Sequence, residues 1–215
     1  MKFAPIVHLI GMLLCILSIF MLIPALVDWF YGSNDWPAFI FSSFLTGLIG
    51  SFFYFSAKNN STEHLELRQA FLLTNSAWLS IALFGSLPFL FSQINMSFVD
   101  ALFESTSGIT TTGATVITNL DNTSHGILIW RALLQWLGGV GIIVMALAIL
   151  PMLSIGGMQL FKTESYETPD KVVPKAATFA AGISIVYSIL TIAWALMLWK
   201  AGMPMLSLIH ISEPT

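Results

Sequence analysis

The chain has 215 residues, of which 56% are hydrophobic and 9% are charged. Soluble globular domains carry about 25% charged residues, so this composition excludes an ordinary water-soluble domain. The net charge is −3 and no basic tract is present that could follow a phosphate backbone, so nucleic-acid binding has no electrostatic basis. A single cysteine, Cys15, excludes a disulfide framework within the chain and a cysteine-based zinc site.

Five apolar windows are each long enough to cross a bilayer. A hydrocarbon core about 30 Å thick needs roughly 20 apolar residues per helical span. Windows of this length without Asp, Glu, Lys or Arg occur at residues 6–27, 37–57, 70–91, 132–161 and 176–199. The sequence therefore predicts an all-α multi-pass membrane protein. The first window is too long for the apolar region of a signal peptide, so we expect it to be a span.

The basic residues between the spans predict the orientation of the chain. If the N-terminus is cytoplasmic, six basic residues lie inside and two, Arg131 and Lys200, lie outside. The six on the inside are Lys2, Lys58, Arg68, Lys162, Lys171 and Lys175. Because basic residues accumulate on the cytoplasmic side, this arrangement favours a cytoplasmic N-terminus. Aromatic residues near the predicted span ends suit an interfacial belt. They are Trp29, Phe30, Tyr31, Trp36, Trp130 and Trp199.

The segment between the third and fourth spans, residues 92–125, does not resemble a span. Residues 97–107 have the spacing of an amphipathic helix, and at about 1.5 Å per residue such a helix crosses only half a membrane. Residues 109–115 are rich in threonine and glycine, so the chain is predicted to leave the helical state at Gly108 and to run extended. A half-length helix with an extended return predicts a loop that enters the membrane and turns back.

The extended return must satisfy its backbone oxygens. Non-helical backbone at membrane depth is tolerated only where protein buries it or where it lines a water-filled path. Neutral backbone and threonine oxygens can replace the hydration shell of a cation without binding it too tightly, and potassium is the natural candidate. Gly113 is expected to supply a φ value that points successive carbonyls the same way. The negative end of the half-helix dipole, near Ser107, would also favour a cation.

An alternative without an ion-binding role explains the composition of this loop equally well. Residues 105–115 could be a hydroxyl-rich surface loop that follows a short amphipathic helix. The order of elements favours the pore, because span, half-helix, Thr/Gly-rich return and span is the membrane-pore-membrane pattern of potassium channels.

Three sequence motifs carry a family resemblance. They are FESTSGITTTGAT at residues 103–115, WRALLQWLGGVGIIV at 130–144 and IGGMQL at 155–160. Together they resemble the Trk/Ktr/HKT superfamily of potassium transporters, most closely the bacterial Trk-type membrane subunit. The resemblance runs from near residue 1 to about residue 203.

The resemblance implies two extra N-terminal helices followed by four membrane-pore-membrane repeats around one axis. Residues 1–69 then correspond to the helix pair, 70–161 to the first repeat, and 162–205 to a cytoplasmic loop and the first helix of the second repeat. Within the first repeat it implies spans at about 70–91 and 130–155, a pore helix at 97–107 and a filter at 109–115. The implied potassium ligands are mainly the backbone carbonyls of Thr110, Thr111, Thr112 and Gly113.

The implied function is potassium uptake across the bacterial cytoplasmic (inner) membrane, passive or coupled to another ion as a symport. Potassium is the transported ligand, and no organic cofactor is implied. The implied partners are membrane lipid, a second copy of the full-length chain, and a cytosolic nucleotide-binding regulatory ring of the Trk/Ktr type on the loops at residues 58–68 and 162–175. With one of four filter strands, this N-terminal fragment is not expected to conduct alone.

Several charged and small residues near the loop have two possible roles. Arg131 has two candidate partners, Glu104 and Asp100, and a snorkelling position at the interface is an equal alternative. Asp100 near the start of the pore helix suits the helix dipole or a cap. A glycine cluster follows in an uninterrupted apolar helix, so close helix packing is a better interpretation than a dinucleotide site. Its members are Gly138, Gly139 and Gly141.

The last ten residues differ in character from the preceding chain. Residues 206–215, LSLIHISEPT, resemble the translation of a sequencing-library adapter, so we expect them to be foreign and the natural chain to continue. A non-conducting membrane scaffold or assembly subunit remains an alternative function. An intramembrane enzyme would need converging ionisable groups, and the predicted spans supply only His8.

Overall fold

The protein is built from α-helices throughout the part that the structure describes. The computed structural model describes residues 3–57, 67–118, 120, 123–153 and 172–200. The helices in these ranges are α1 (Ala4–Tyr31), α2 (Trp36–Ala57), α3 (Leu67–Gly85), α4 (Leu87–Phe91), α5 (Phe98–Ile109), α6 (His125–Leu153) and α7 (Val172–Lys200). Four segments are long and apolar enough to cross a membrane: Ala4–Tyr31, Trp36–Ala57, Arg68–Phe91 and His125–Ile143. The all-α multi-pass class is therefore confirmed.

The first two helices contain the spans predicted at residues 6–27 and 37–57. Helix α1 continues to Tyr31 and ends where Gly32 adopts a left-handed φ of 71°. Helix α6 begins at His125, earlier than residue 130, because Arg131 is buried and does not end the apolar helix. The span at 176–199 lies within α7, while the predictions for residues 58–66, 154–171 and 206–215 fall outside the described residues.

The third predicted span, 70–91, lies within the candidate span Arg68–Phe91, but it consists of two helices and not one. The helix is interrupted at Ser86, between α3 and α4. Pro88 lies in the first turn of α4 and has no N–H, so the carbonyl of Phe84 loses its helical donor. The neighbouring carbonyl of Gly85 accepts a hydrogen bond from Trp130 Nε1 at 2.9 Å. The Trp130 side chain of α6 thus holds the interruption between α3 and α4 in place.

Trp130 corrects the predicted interfacial belt. Its side chain is fully buried, because the indole N–H reaches Gly85 O and the ring packs edge-on against Phe39 at a centroid distance of 6.4 Å. Trp29 and Phe30 are exposed, as a residue in contact with headgroups would be.

Helices α1 and α2 pack closely along two glycines. A Cβ on Gly11 would lie 2.5 Å from Tyr54 N, and a Cβ on Gly50 would lie 2.9 Å from Leu14 Cβ. Neither position therefore has room for a side chain. His8 stacks on Tyr54 at 4.4 Å between ring centroids, and its Nδ1 lies 3.1 Å from the carbonyl of the same residue. His8 is thus a satisfied packing residue.

Two buried aspartates connect this helix pair to the segments that lead into α5 and α6. Asp28, near the end of α1, accepts a hydrogen bond from Gly126 N at 2.6 Å. Gly126 N is one of the amides at the start of α6 that have no partner within the helix, so the carboxylate caps α6 from another helix. Asp35 Oδ1 accepts from Gln93 N at 2.8 Å and so fixes the segment that leads into α5.

The contacts divide the chain into two units, one of residues 1–138 and the other of residues 139–208. The first contains α1 to α5 and the beginning of α6, around a core that includes Leu14, Met21, Phe39, Trp130 and Leu134. In the second, a Cβ on Gly139 would lie 2.7 Å from the hydroxyl of Tyr187, as expected for close helix packing. The loop predicted as a filter belongs to the first unit.

Candidate ion-binding loop

The half-length helix α5 begins with a cap and ends later than predicted. Ser97 Oγ accepts a hydrogen bond from Asp100 N at 3.2 Å and donates to Asp100 Oδ2 at 2.6 Å, so Asp100 is part of the N-terminal cap. The helix ends at Ile109 and not at Ser107. Gly108 is therefore still helical. Glycine is required there by a close contact, because a Cβ would lie 2.9 Å from Leu134 Cβ on α6.

The loop that follows bonds back to the last turn of α5. Thr111 N donates to Gly108 O at 2.9 Å, while Thr112 N and Gly113 N both donate to Ser107 O, at 3.0 and 3.4 Å. In a planar trans peptide the C=O points opposite to the N–H, so the carbonyls of the same three peptide units point away from the helix. Those carbonyls belong to Thr110, Thr111 and Thr112.

Two residues of the loop have positive φ. Gly113 has φ 76°, in the region where glycine meets no steric penalty, as the sequence led us to expect. Thr111 has φ 57°, a conformation that costs a residue with a Cβ roughly 1–2 kcal/mol. The Thr110 and Thr112 hydroxyls lie 2.8 Å apart. The alternation of positive and negative φ directs successive amides to one acceptor.

The segment after the loop, residues 115–117, is bonded to a carboxylate. Glu104 Oε1 accepts from Thr115 Oγ1 at 2.6 Å, from Val116 N at 2.6 Å and from Ile117 N at 3.3 Å. Glu104 Oε2 forms an ion pair with Arg131, whose Nη1 also donates to Thr115 Oγ1 at 2.9 Å. Glu104 is 1% exposed and Arg131 is 2% exposed. The partner of Arg131 is therefore Glu104 and not Asp100, and the snorkelling interpretation is wrong.

The loop thus has a bonded side and an open side. On the bonded side, Ser107 Oγ donates to Ala114 O at 2.6 Å, in addition to the amide contacts. On the open side, Thr110, Thr111 and Thr112 are exposed. Residues 3–57, 67–118, 120, 123–153 and 172–200 contain no group of three or more His, Cys, Asp or Glu that could bind a metal ion. Residues 109–116 contain no Asp or Glu, so the oxygens of the loop itself are neutral carbonyls and hydroxyls.

The sequence did not predict two contributors to this arrangement: Ser107 anchors two amides through its carbonyl, and Glu104 binds residues 115–117 after the loop. Gly138 was predicted to allow close helix packing, and α6 does approach Ile109 there so closely that a side chain would overlap its carbonyl. The spacing of Glu104 and Ser107 was an available signal, because residues three apart share one face of a helix. In α5 this polar face is the one that binds the loop and residues 115–117.

The sequence matches the family model of TrkH, described as a cation transport protein, over residues 36–206. The chain belongs to the TrkH family. The TrkH potassium uptake protein of Salmonella typhimurium is 42% identical over 207 residues, which are 95% of this chain and 43% of that protein. The corresponding Escherichia coli K12 protein is also 42% identical, over 94% of this chain and 42% of its own length.

A solved structure shows the same fold. The potassium transporter TrkH from Vibrio parahaemolyticus superposes with a TM-score of 0.86 at 39% identity, and the match covers 99% of this chain and 42% of that one. The chain therefore spans less than half the length of these TrkH relatives. They are transport proteins and not enzymes, in agreement with the interpretation that the chain does not catalyse a reaction.

Proposed function

We propose that the chain is the N-terminal part of a bacterial potassium uptake protein and contributes one of four filter strands. In this proposal the carbonyls of Thr110, Thr111 and Thr112, together with Gly113, coordinate the transported potassium ion. The relatives that match over almost the whole chain are potassium uptake proteins. One strand supplies a quarter of a coordination ring, so the remaining repeats are required before the ion can leave water.

The observation that carries this proposal is the direction of three successive carbonyls. Each lies opposite an N–H that is bonded to the end of α5, and the residues that bear them are exposed. The bonds from Thr112 N to Ser107 O and from Thr111 N to Gly108 O, with Thr111 left-handed, form a Schellman-type end of α5, a pattern common at helix ends. Carbonyls that face one way on an exposed loop can together replace water around a cation, and the potassium uptake relatives favour that use here.

The loops also support the proposed orientation, in which the N-terminus is cytoplasmic and the filter opens outward. The connection after α1, the segment before α5 and the segment before α6 line one cleft of about 450 Å³, so they lie at the same end of the first unit. Its lining residues are Ser33, Asn34, Asp35, Gln93, Ile94, Thr118, Thr123 and Ser124. The basic residues assigned to the cytoplasm fall between other elements.

The remaining proposals concern the full-length protein in the inner membrane. A homodimer and a cytosolic nucleotide-binding ring are implied by the resemblance, and the ring would contact residues 58–68 and 162–175. Residues 58–66 and 162–171 lie outside the described residues. Uptake is expected to follow the electrochemical gradient, worth about 2.3 kcal/mol per charge per 100 mV, with or without a coupled ion.

Gly113→Ala in the full-length protein tests the pore. We expect rubidium uptake by cells without other potassium uptake systems to fall to background, because the added Cβ disfavours φ 76° and turns a carbonyl out of line.

The matched control is Gly32→Ala. Gly32 has a similar φ of 71° and lies at the end of α1, and a Cβ at this position would have nothing within 4 Å, so the substitution imposes a similar backbone strain away from the loop. Uptake should persist in the control. Wild-type uptake by the Gly113 variant would instead favour the non-conducting scaffold.

A further inference from the structure

We propose that Glu104 and Arg131 are positioning residues that set the ion discrimination of the loop. Glu104 acts as the acceptor that replaces a neighbouring strand, and Arg131 supplies its counter-charge. This inference rests on the proposed function, because it assigns these residues a task in cation selection. Neither side chain touches the ion in this proposal.

The need for an acceptor follows from the backbone after the loop. No β-strand is present in the described ranges, so the extended residues 115–117 have no ladder partner there. An unpaired N–H at membrane depth costs several kcal/mol. Glu104 Oε1 meets this need by accepting from Val116 N at 2.6 Å, and it shares Ile117 N with Thr115 Oγ1, which lies at 3.0 Å against 3.3 Å for the carboxylate. The Thr115 hydroxyl in turn donates to the same carboxylate oxygen.

The charge of the carboxylate explains the arginine. Three donors that converge on one oxygen favour an anion over a neutral acceptor. A buried anion without a partner is strongly unfavourable, and Arg131 compensates it from α6 through an ion pair in which both side chains are almost fully buried. The hydrogen bond from Arg131 Nη1 to Thr115 Oγ1 closes the network on the strand itself.

Glu104 can influence ion selection because the residues that it binds follow the proposed ligands closely in the sequence. Only Ala114 separates Gly113 from Thr115, so the loop is attached to α5 on both sides of the proposed ligands. Within the proposed ligands, the amides of Thr112 and Gly113 bond to Ser107 O. After the ligands, Val116 N bonds to Glu104, which lies one helical turn before Ser107 on the same face of α5. Loss of the second attachment leaves the carbonyls free to move relative to the axis.

A simpler role competes with this one, in which the ion pair only ties α5 to α6. The two roles make different demands on position 104. A helix tie needs opposite charges in either order, whereas positioning needs an acceptor at 104, because backbone N–H groups cannot bond to a guanidinium.

Four variants of the full-length protein separate these roles. They are Glu104→Gln, Arg131→Met, the double variant E104Q/R131M and the charge swap E104R/R131E. The measurements are the KM for rubidium uptake, the inhibition of that uptake by sodium, and the melting temperature of the purified protein in detergent. Asp100→Asn is the matched control, since Asp100 is a carboxylate on the same helix that bonds to Ser97 in the cap and not to the strand.

We expect each single variant to raise the rubidium KM and to weaken discrimination against sodium by about tenfold or more, the factor that one lost hydrogen bond to a charged group produces. The neutral pair should recover much of the discrimination, because glutamine keeps an acceptor oxygen and no unpaired charge remains. The charge swap should not recover it. Asp100→Asn should keep the wild-type KM and selectivity.

Recovery by the charge swap to the wild-type level would overturn the inference in favour of a helix tie. Wild-type KM and selectivity in both single variants would overturn it as well. If the unmodified full-length protein takes up no rubidium, the proposed function fails and this inference fails with it. An active wild type with unaffected variants defeats the positioning role alone. If the single variants lower the melting temperature severely, the comparison of the neutral pair with the swap still decides the matter.

Discussion

The α1–α2 pair and the α5–loop–α6 region bury different chemistry. Helices α1 and α2 meet through glycines, apolar side chains and neutral polar contacts such as the hydrogen bond from Ser43 Oγ to Ser18 O at 2.7 Å, and Gly11 and Gly50 let the two backbones touch. The α5–loop–α6 region instead buries an ion pair and a carboxylate that accepts backbone hydrogen bonds. Complete helices satisfy their own amides, so van der Waals contact is enough between them. Charged side chains are buried where the backbone leaves the helix and needs outside partners.

The largest expected effect concerns the contact between α6 and the end of α5. Gly138→Val should destabilise the protein by about 3 kcal/mol, the upper end for overpacking, because the new side chain would overlap the Ile109 carbonyl, which cannot rotate away. Thermal unfolding of the detergent-purified full-length protein measures the stability. Rubidium uptake should be lost as well, because Ile109 leads directly into the loop.

The control for this substitution is Gly141→Val on the same helix. Nothing lies within 4 Å of a Cβ at Gly141, so the valine should cost much less than it does at Gly138. Equal effects at both positions would show that the loss comes from the valine itself and not from contact with the loop.

An intermediate effect is expected in the apolar region. Gly50→Val should cost about 2 kcal/mol, because a Cβ there would lie 2.9 Å from both Leu14 Cβ and Cys15 N. The protein that remains folded should take up rubidium with the wild-type KM, since this helix pair makes no contact with the filter in the proposed mechanism. A changed KM would contradict the separation of the two regions.

Gly47→Val, one turn earlier on α2, is the matched control. The nearest atom to a Cβ there is Ser18 Oγ at 3.1 Å, the end of a side chain that can rotate, so the expected cost in unfolding free energy is smaller.

The smallest expected effect is at the start of α5. Ser97→Ala removes the cap hydrogen bond to Asp100 N and should cost about 1 kcal/mol. Hydrogen exchange at the amides of Asp100 and Ala101 should become faster, while Ser97→Thr should keep the cap and the slow exchange. Unchanged exchange in the alanine variant would show that the cap does not stabilise this end of α5.

The sequence predicted the helices better than it predicted their interruptions. The absence of charged residues over roughly 20 positions is a strong signal for a membrane-spanning helix. The long described helices coincide with the predicted apolar windows. The break at Ser86 was missed because Pro88 can also lie inside an apolar span, and whether it breaks the helix depends on partners such as Trp130. Trp130 was misassigned for the same reason, since its partner is distant in sequence.

The loop itself was located from composition, but its bonding was not. Glycine at 113 is a sequence signal for positive φ, and the structure has φ 76° there. Thr111 gives no such signal, because a β-branched residue in this conformation is stabilised only by its surroundings. Asp100 and Glu104 are four residues apart on one helix face, so the choice of partner for Arg131 required the position of α6.

The left-handed conformation of Thr111 implies that the loop cannot keep its structure outside this protein. A short synthetic peptide with residues 105–117 would contain Ser107 and Gly108, which accept the bonds of the loop amides, but it would lack Glu104, Arg131 and α6 and is too short to keep a stable helical turn in water. Without that turn its threonine would relax to negative φ, because the left-handed conformation costs roughly 1–2 kcal/mol. Its carbonyls would then scatter in direction and bind a cation no better than water does. Any attempt to transplant this loop into another scaffold has to carry the half-helix and the neighbouring helix along with it.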